Sequence, residues 1–347
     1  MAGARTPGAA AVRTVRVGFA SFAHLHGWSY ANVVRRLPGA EIMGLFDDDA
    51  ARRKKMSASL DDAPAFESMA ALLGEKPDAI VVASENARHR EFTEAALDAG
   101  IPVLCEKPLA STLADGRAMV RKAKERGVAM ATAFPCRFHP AAERACRAIR
   151  AGDIGALRAV SATNHGQVPP GWFIDPALSG GGAIMDHTVH VVDLLRWMTG
   201  AEIVSVYAEK GRLRDGIQVE DLGLVSMALS NGAVATLDAS WSRPSRFPAW
   251  GDLTMEMIGS GGLLSLDLFA QMHSVHRMKH GETGPDTQWI NWGDDMDRGL
   301  VTEFVNAVRE VRPPSVTGED GLAALEVTVA AYRSVERREA VSLPLAD

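Results

Sequence analysis

The sequence predicts an α/β chain: a doubly wound parallel sheet comes first, and after about residue 134 an α+β unit follows whose sheet is largely antiparallel. Three observations predict it. Between Thr14 and Phe134, short apolar runs alternate with amphipathic stretches, and successive strands joined by helices run parallel in one sheet. Further on, "LGLVSMAL" and "AVATLDASWS" flank Ser230-Asn231-Gly232, which reads as two strands around a tight turn. The chain of 347 residues is 47% hydrophobic and 23% charged, an ordinary globular composition with enough apolar material for two cores.

The first unit reads in order as strand "TVRVGFA", helix "GWSYANVVRRL" and strand "AEIMGLFD", then strand "PDAIVVAS" and helix "ARHREFTEAALDAG". Strand "IPVLCEK", helix "LADGRAMVRKAKERG" and strand "VAMATAF" complete it. Apolar residues at helical spacing mark the helices, and Gly100 and Gly127 close two of them where a left-handed cap suits glycine. The second unit opens with helix "PAAERACRAIRAGDIG" and strand "ALRAVSATNHG". It then carries "GGGAIMDHTVHVVDLLRWMTG", a helix launched by three glycines and closed by Gly200. Asp186 and His190 are four residues apart on it and share a face. The expected division is a flexible arm at 1–12, a dinucleotide-binding unit at 13–134, and a substrate-binding unit at 135–347 that also builds an oligomer interface.

The net charge of −6, with basic residues scattered, argues against a nucleic-acid partner. No run approaches the ~18 apolar residues of a membrane span. Cys105, Cys136 and Cys146 make an odd set without metal-type spacing, which fits a reducing compartment, the cytoplasm, and packing roles. His24 and His26, read with His187 and His190, form a metal-like inventory that would suit a metal-dependent hydrolase. The two groups fall in different units, so no metal is expected.

Ligands of a doubly wound sheet bind beyond the carboxyl ends of its strands. Those ends carry Gly18 to Ala23, Asp47, Ser84 to Asn86, and Glu106-Lys107-Pro108. "VGFASFAHLHG" places Gly18, Ala20 and Ala23 where a dinucleotide turn has Gly, Gly and then Gly or Ala, with Ser21 and Phe22 between them. Ala20 sets a methyl where the pyrophosphate approaches. Asp47 ends the next strand where an acid takes ribose hydroxyls. No basic residue occurs from Phe46 to Ala51, so NAD is expected in preference to NADP. Asp48 and Asp49 either add to this charge or simply start a helix.

Glu106-Lys107-Pro108 and the Gly-Gly-Gly, Asp-x-x-x-His segment, in this order, resemble the glucose-fructose oxidoreductase, inositol dehydrogenase and rhizopine catabolism (Gfo/Idh/MocA) family. The resemblance runs from about Val15 through nearly the whole chain, with weaker echoes in "SENARHRE" and "AFPCRFHPAAERA". It implies a Rossmann domain, NAD, a sugar- or polyol-like substrate and a homo-dimer or homo-tetramer. It also implies coenzyme contacts from Ser84, Asn86, His89, Glu106 and Lys107, with Lys107 close to both nicotinamide and substrate and with Asp186 and His190 holding the reacting hydroxyl. Glu85 stands where the family usually has proline. The chemistry is consistent: alcohol oxidation by nicotinamide needs hydride departure and loss of the hydroxyl proton. His190 can take that proton, Asp186 can orient it or the substrate, and the Lys107 ammonium can stabilise charge on oxygen; lysine and histidine both remain open as the acceptor. His24, Arg137, His165, Trp172, His187 and Trp241 are candidate substrate contacts, since aromatic faces stack on sugar rings and arginine clamps carboxylates. Rival readings are a closed redox cycle with retained NAD that eliminates or cleaves, and a non-catalytic sugar sensor.

Overall fold

The computed structural model describes residues 13–276, 287–291 and 295–346; the arm expected at 1–12 lies outside the described residues. The first unit runs β1 (Val15–Ala20), α1 (His26–Arg36), β2 (Ala40–Phe46), α2 (Ala50–Ser59), β3 (Ala65–Phe66), α3 (Met69–Gly74) and β4 (Ala79–Val82). It continues with α4 (His89–Asp98), β5 (Val103–Cys105), α5 (Leu113–Arg126) and β6 (Met130–Thr132). Its 6-stranded sheet has the order β3-β2-β1-β4-β5-β6, every pair parallel. The order reverses between β1 and β4, which opens a crevice at their carboxyl ends. β4 and β5 are buried throughout, as helices on both faces require, and this is why their sequences are continuous apolar runs. Thr112 caps α5 by accepting from the Asp115 N–H, and Gly127 closes it at φ 63, in the left-handed region that favours glycine.

The segment from α2 to α3 carried no sequence prediction of its own beyond a helix start at Asp48-Asp49. α2 buries no residue and so shows no apolar stripe. Asp49 starts it, accepting from the N–H groups of Ala51 and Arg52.

The second unit contains α6 (Pro140–Ala151), β7 (Leu157–His165), α7 (Pro176–Ser179), α8 (Ala183–Thr199), β8 (Ile203–Gly211), β9 (Leu222–Leu229), β10 (Val234–Ser240), β11 (Thr254–Gly259) and β12 (Leu263–Asp267). After these come β13 (Met272–His276), β14 (Thr287–Asn291), α9 (Met296–Glu310), α10 (Gly318–Arg337) and β15 (Val341–Ser342). A 7-stranded sheet runs β12-β11-β7-β10-β9-β8-β15. β7 and β10 pair parallel, and the other pairs are antiparallel. α8 and α10 cover one face and form the core with it. The other face leaves Leu224, Val234, Ile258 and Leu263 exposed. α9 returns to the first sheet, where Leu300, Val301, Phe304 and Val305 join Val15, Val17 and Phe19 in one cluster. The two cores are thereby laced together by the end of the chain.

Arg137 corrects an expectation. Its guanidinium is buried and gives Asp193 two hydrogen bonds, 2.8 Å from Nε and 2.5 Å from Nη2, with Asp320 at 3.1 Å. It clamps α8 and α10 to the turn after β6 and does not face a substrate. Removing the two-pronged partner leaves the buried guanidinium with the single carboxylate of Asp320, so Asp193→Ala is expected to lower unfolding free energy by about 3 kcal/mol. Urea denaturation checks this, with coenzyme binding to the folded fraction unchanged.

Candidate active site

The carboxyl end of β1 turns sharply. Ser21 takes φ 68, a left-handed conformation for a residue with a Cβ, and Asp47 holds it there. The Asp47 carboxylate accepts from Phe22 N at 2.7 Å, Ser21 Oγ at 3.3 Å, Arg52 Nε at 2.7 Å and Asp49 N at 3.0 Å. Asp47 is fully buried. The acid expected to meet ribose hydroxyls is therefore committed to the turn itself, and Arg52, one residue beyond the stretch free of basic side chains, lies on it. Gly18 and Ala20 belong to buried β1; a Cβ on Gly18 would lie 2.7 Å from Ile80 Cδ1, so this glycine serves strand packing rather than the turn. Ala23 N donates to Ser21 Oγ at 3.2 Å.

At the end of β4, Ser84 is buried, Asn86 Nδ2 donates to the Ser179 carbonyl at 2.8 Å, and the buried His89 ring sits between the carbonyls of Pro108 and Ser84. His89 thus pins the Glu-Lys-Pro loop to the sheet, a correction to its expected coenzyme contact. Leu25 at the head of α1 brings no capping side chain, and His24 takes that part through its ring and carbonyl. The surroundings still suit a dinucleotide. Asn86 Oδ1 and Glu85 Oε2 are buried acceptors without a hydrogen-bond partner, available to ligand hydroxyl or amide groups.

Glu106 is fully buried. It accepts from Lys107 N at 2.8 Å and lies 3.1 Å from His26 Nδ1. Burial opposes its charge, but His24, His26 and Lys107 outweigh burial and hold the carboxyl well below the usual range. The same carboxylate carries His26 above its ordinary pKa against the pull of burial. His24, also buried, falls to about 3 because desolvation dominates. The polar atoms of His24, His26 and Glu106 lie within 4.8 Å of one another. This grouping differs from the expected one with His187 and His190. These atoms already bond among themselves, His24 Nδ1 accepting from His26 N at 3.2 Å.

Lys107 reaches across the crevice, Nζ lying 2.5 Å from Asp186 Oδ1; its peptide bond to Pro108 is cis. Burial would lower its pKa, but Asp186 and Glu106 raise it, so Lys107 stands as ammonium. Asp186 is held well below the carboxylate range by Lys107 and His187 despite its desolvation. Its second oxygen meets Trp241 Nε1 at 3.2 Å and His187 Nε2 at 3.3 Å. Among the described residues no hydrogen bond joins Asp186 to His190, so the first of the two roles expected of Asp186, orienting that ring, is not made; the shared helical face aims both at one cavity. His190 contacts Cys136 Sγ through Nδ1 at 3.8 Å. Burial, then Lys107, pushes it well below its ordinary pKa, leaving a neutral imidazole.

These side chains line a cavity of about 320 Å³ with His24, His165, Asn164, Trp250, Asp252 and Asp297. Trp241 is buried and serves Asp186 instead of a substrate. Trp172 also departs from expectation: its indole N–H donates to the Ala23 carbonyl at 3.0 Å, and its ring stacks on Phe173 at 3.9 Å. His165 lines the cavity with both ring nitrogens taken, by Asp252 at 2.8 Å and Asp238 at 3.1 Å.

α8 presents Asp186, His187 and His190 from a tightly built N-terminus. A Cβ on Gly182 would stand 1.8 Å from the Glu220 carbonyl oxygen, so only glycine fits. Glu220 Oε1 accepts from Gly182 N, Ile184 N and Tyr332 OH at 3.0, 3.1 and 2.7 Å. That buried carboxylate replaces a local cap.

Residues 12–134 match the oxidoreductase family described as NAD-binding Rossmann fold, and residues 142–265 match the GFO/IDH/MocA C-terminal domain. The chain belongs to the GFO/IDH/MocA oxidoreductase family. Among its relatives, 1,5-anhydro-D-fructose reductase from Ensifer adhaerens is 31% identical over 89% of this chain and 92% of its own length. The NAD(+)-dependent scyllo-inositol 2-dehydrogenase from Bacillus subtilis is 29% identical over 96% of each chain. GenD2 from gentamicin A biosynthesis, solved in complex with NAD, superposes with a TM-score of 0.87 at 28% identity, over 99% of this chain and 100% of that one. Membership makes this GFO/IDH/MocA protein an oxidoreductase with an NAD-binding Rossmann domain.

Sequence reasoning missed Asp252, Asp297, Trp250 and Glu220, which come from loops and helix starts without a motif.

His165 yields a pH prediction. The hydrogen bonds that its ring donates to Asp238 and Asp252 raise it to about 9, above the ~6.5 of an unfolded histidine. Its stabilising contribution is therefore complete below the unfolded value and is lost as pH rises towards about 9. Urea midpoints measured between neutral and alkaline pH are expected to fall in the wild type and to change less in His165→Gln.

Proposed function

We propose that this protein oxidises a hydroxyl of a sugar, polyol or related compound, with hydride passing to NAD. Residues 13–134 serve the coenzyme and residues 135–347 shape the substrate side. The observation that carries this reading is the Lys107–Asp186 contact of 2.5 Å, which brings the strand-end lysine and the α8 acid to one cavity that His190 also lines. Relatives named for inositols and anhydrofructose support the substrate class.

Bound nicotinamide supplies the hydride acceptor. His190, neutral and half-buried, receives the hydroxyl proton on the ring nitrogen remote from Cys136. Lys107, kept as ammonium by Asp186, donates to the substrate oxygen as negative charge develops there. Protonation states thus favour histidine over lysine as acceptor. At the adenosine side, Asp47, Asp48 and Glu85 face Arg52 and Arg88. Arg53 joins them on the Asp47 carbonyl, and Asp49 and Glu91 add two carboxylates; five carboxylates against three guanidiniums leave a net negative edge that disfavours a 2′-phosphate and favours NAD over NADP.

Localisation and assembly belong to the same proposal. The three cysteines are free and, among the described residues, no helix is long and apolar enough to cross a membrane, which supports a cytoplasmic protein. The exposed apolar residues on the uncovered face of the second sheet support a homo-dimer or homo-tetramer built through it. Light scattering is expected to report a multimer, and charges introduced at Leu224 and Val234 to shift it towards monomer.

Kinetics test the chemistry. On a substrate found by following NADH formation across a polyol panel, Lys107→Ala and His190→Ala are each expected to lower kcat by about 10² or more, with NAD binding retained. The wild-type kcat/KM should stay flat from neutral pH to below ~6.5, since the essential histidine titrates lower. Near-wild-type turnover in both variants would remove the assignment, as would NADP binding as tight as NAD to the same preparation remove the coenzyme preference. Conversion without net NADH would favour the closed cycle.

A further inference from the structure

We propose that His187 is a positioning residue that keeps an additional proton on the Lys107–Asp186 pair, so that the three groups together present one net positive charge to the reacting oxygen. The inference rests on the reading of the site given above and concerns a residue with no part in the Asp-x-x-x-His pairing.

Hydrogen-bond accounting leads to it. His187 Nδ1 lies 2.6 Å from the Asn164 carbonyl oxygen. A carbonyl oxygen only accepts, so Nδ1 carries a hydrogen. This directs Nε2 at Asp186 Oδ2, 3.3 Å away. A carboxylate oxygen also only accepts, and two lone pairs would face each other in a buried site unless a proton lies between them. The other carboxylate oxygen is already occupied by the Lys107 ammonium. A carboxyl is a stronger acid than an imidazolium, and this one also carries the Lys107 ammonium on its other oxygen, so the proton between the two resides on the imidazole. The ring has little freedom to turn away. It is buried, a Cβ on Gly166 would stand 3.0 Å from its Cε1, and Trp241 meets it edge-on at 6.5 Å and 86°.

Two consequences follow for the reaction. Lys107 and Asp186 alone form a neutral pair, whose charges largely cancel at the oxygen between them and the coenzyme. With the His187 proton the trio is cationic, and a developing alkoxide gains a stabilisation that the ground-state hydroxyl does not. The same positive charge bears on His190, one turn further along α8, where it adds to burial and Lys107 in keeping that ring neutral. The charged and titratable groups facing His187 and His190 are Lys107 from the loop after β5, Asp186 on α8, His26 on α1, Cys136 from the turn after β6, and His165 and Asp252 across the cavity. Protons balance in the step: the hydroxyl proton moves to His190, the hydride to the coenzyme, and the His187 proton stays in place.

The test has one arm that needs no turnover. In ¹⁵N-histidine-labelled wild-type protein with NAD, the His187 signals, assigned by their loss in His187→Gln, are expected to show both ring nitrogens protonated at neutral pH. A neutral-imidazole signature would overturn the proposal whether or not any sugar is oxidised. The kinetic arm uses His187→Gln, whose amide can still donate to Asp186 but carries no charge, and His187→Asn, which keeps a donor for the Asn164 carbonyl. Both are expected to lower kcat about tenfold or more with little change in KM. Both should also move the acidic limb of kcat/KM to higher pH, because His190 loses a neighbouring positive charge. A purely structural role would change melting temperature without moving that limb. Wild-type kcat with an unmoved limb in both folded variants would sink the idea, while loss of the Lys107 and His190 effects would instead indict the underlying functional reading.

Discussion

The ammonium of Lys107 is the constraint on which the rest of the molecule depends. A lysine taken this far out of water costs several kcal/mol unless a carboxylate meets it. Two do, from different directions. Glu106 holds the loop from behind through the Lys107 N–H, and Asp186 meets Nζ from the other sheet's helix. The second contact joins the end of β5 to the first turn of α8. Neither unit can move far from the other without stranding a buried charge.

Much of the surrounding structure serves that contact. α8 must begin close to the crevice, so Gly182 tolerates the Glu220 backbone at a distance no side chain would allow, and the Glu220 carboxylate, itself bonded to Tyr332 on α10, terminates the helix. Arg137 and Asp193 anchor the same helix two turns later to the segment leaving β6. α9 and α10 then fasten both cores. The result is a rigid frame on both sides of a small cavity, which suits chemistry that depends on pre-set charge and not on movement. On the coenzyme side Asp47 plays the matching part, spending its carboxylate on the left-handed Ser21 turn.

How much of this was legible from sequence varies with the range of the interaction. The parallel sheet was readable because strands buried on both faces must be uniformly apolar, and Glu106-Lys107-Pro108 stood out because charge is expensive at the end of such a strand. α2 escaped because nothing in it is buried. Asp186 and His190 were correctly placed on one helical face, but helical spacing says nothing about which of the neighbouring groups an acid will choose. It chose Lys107, Trp241 and His187, the last adjacent in sequence and brought round only because the Asn164 carbonyl holds its other nitrogen. Arg137, Trp172 and Trp241 were read as substrate contacts from residue type, and His89 as a coenzyme contact from the family resemblance. Each proved to be spent on the protein's own carboxylates or carbonyls, since a buried donor takes the nearest acceptor whatever its chemical promise.

By itself the sequence determined the fold class, most of the strand and helix order of the first unit, the family, and the two short motifs that meet in the cavity, because apolar periodicity and local motifs are properties of neighbouring residues. Only the tertiary structure decided that Lys107 is charged and His190 neutral, that Asp47 is committed to its turn, and that His187 stands against Asp186. Protonation and hydrogen-bond partnership depend on burial and on groups that approach from other elements, and those distances exist only once the chain has closed.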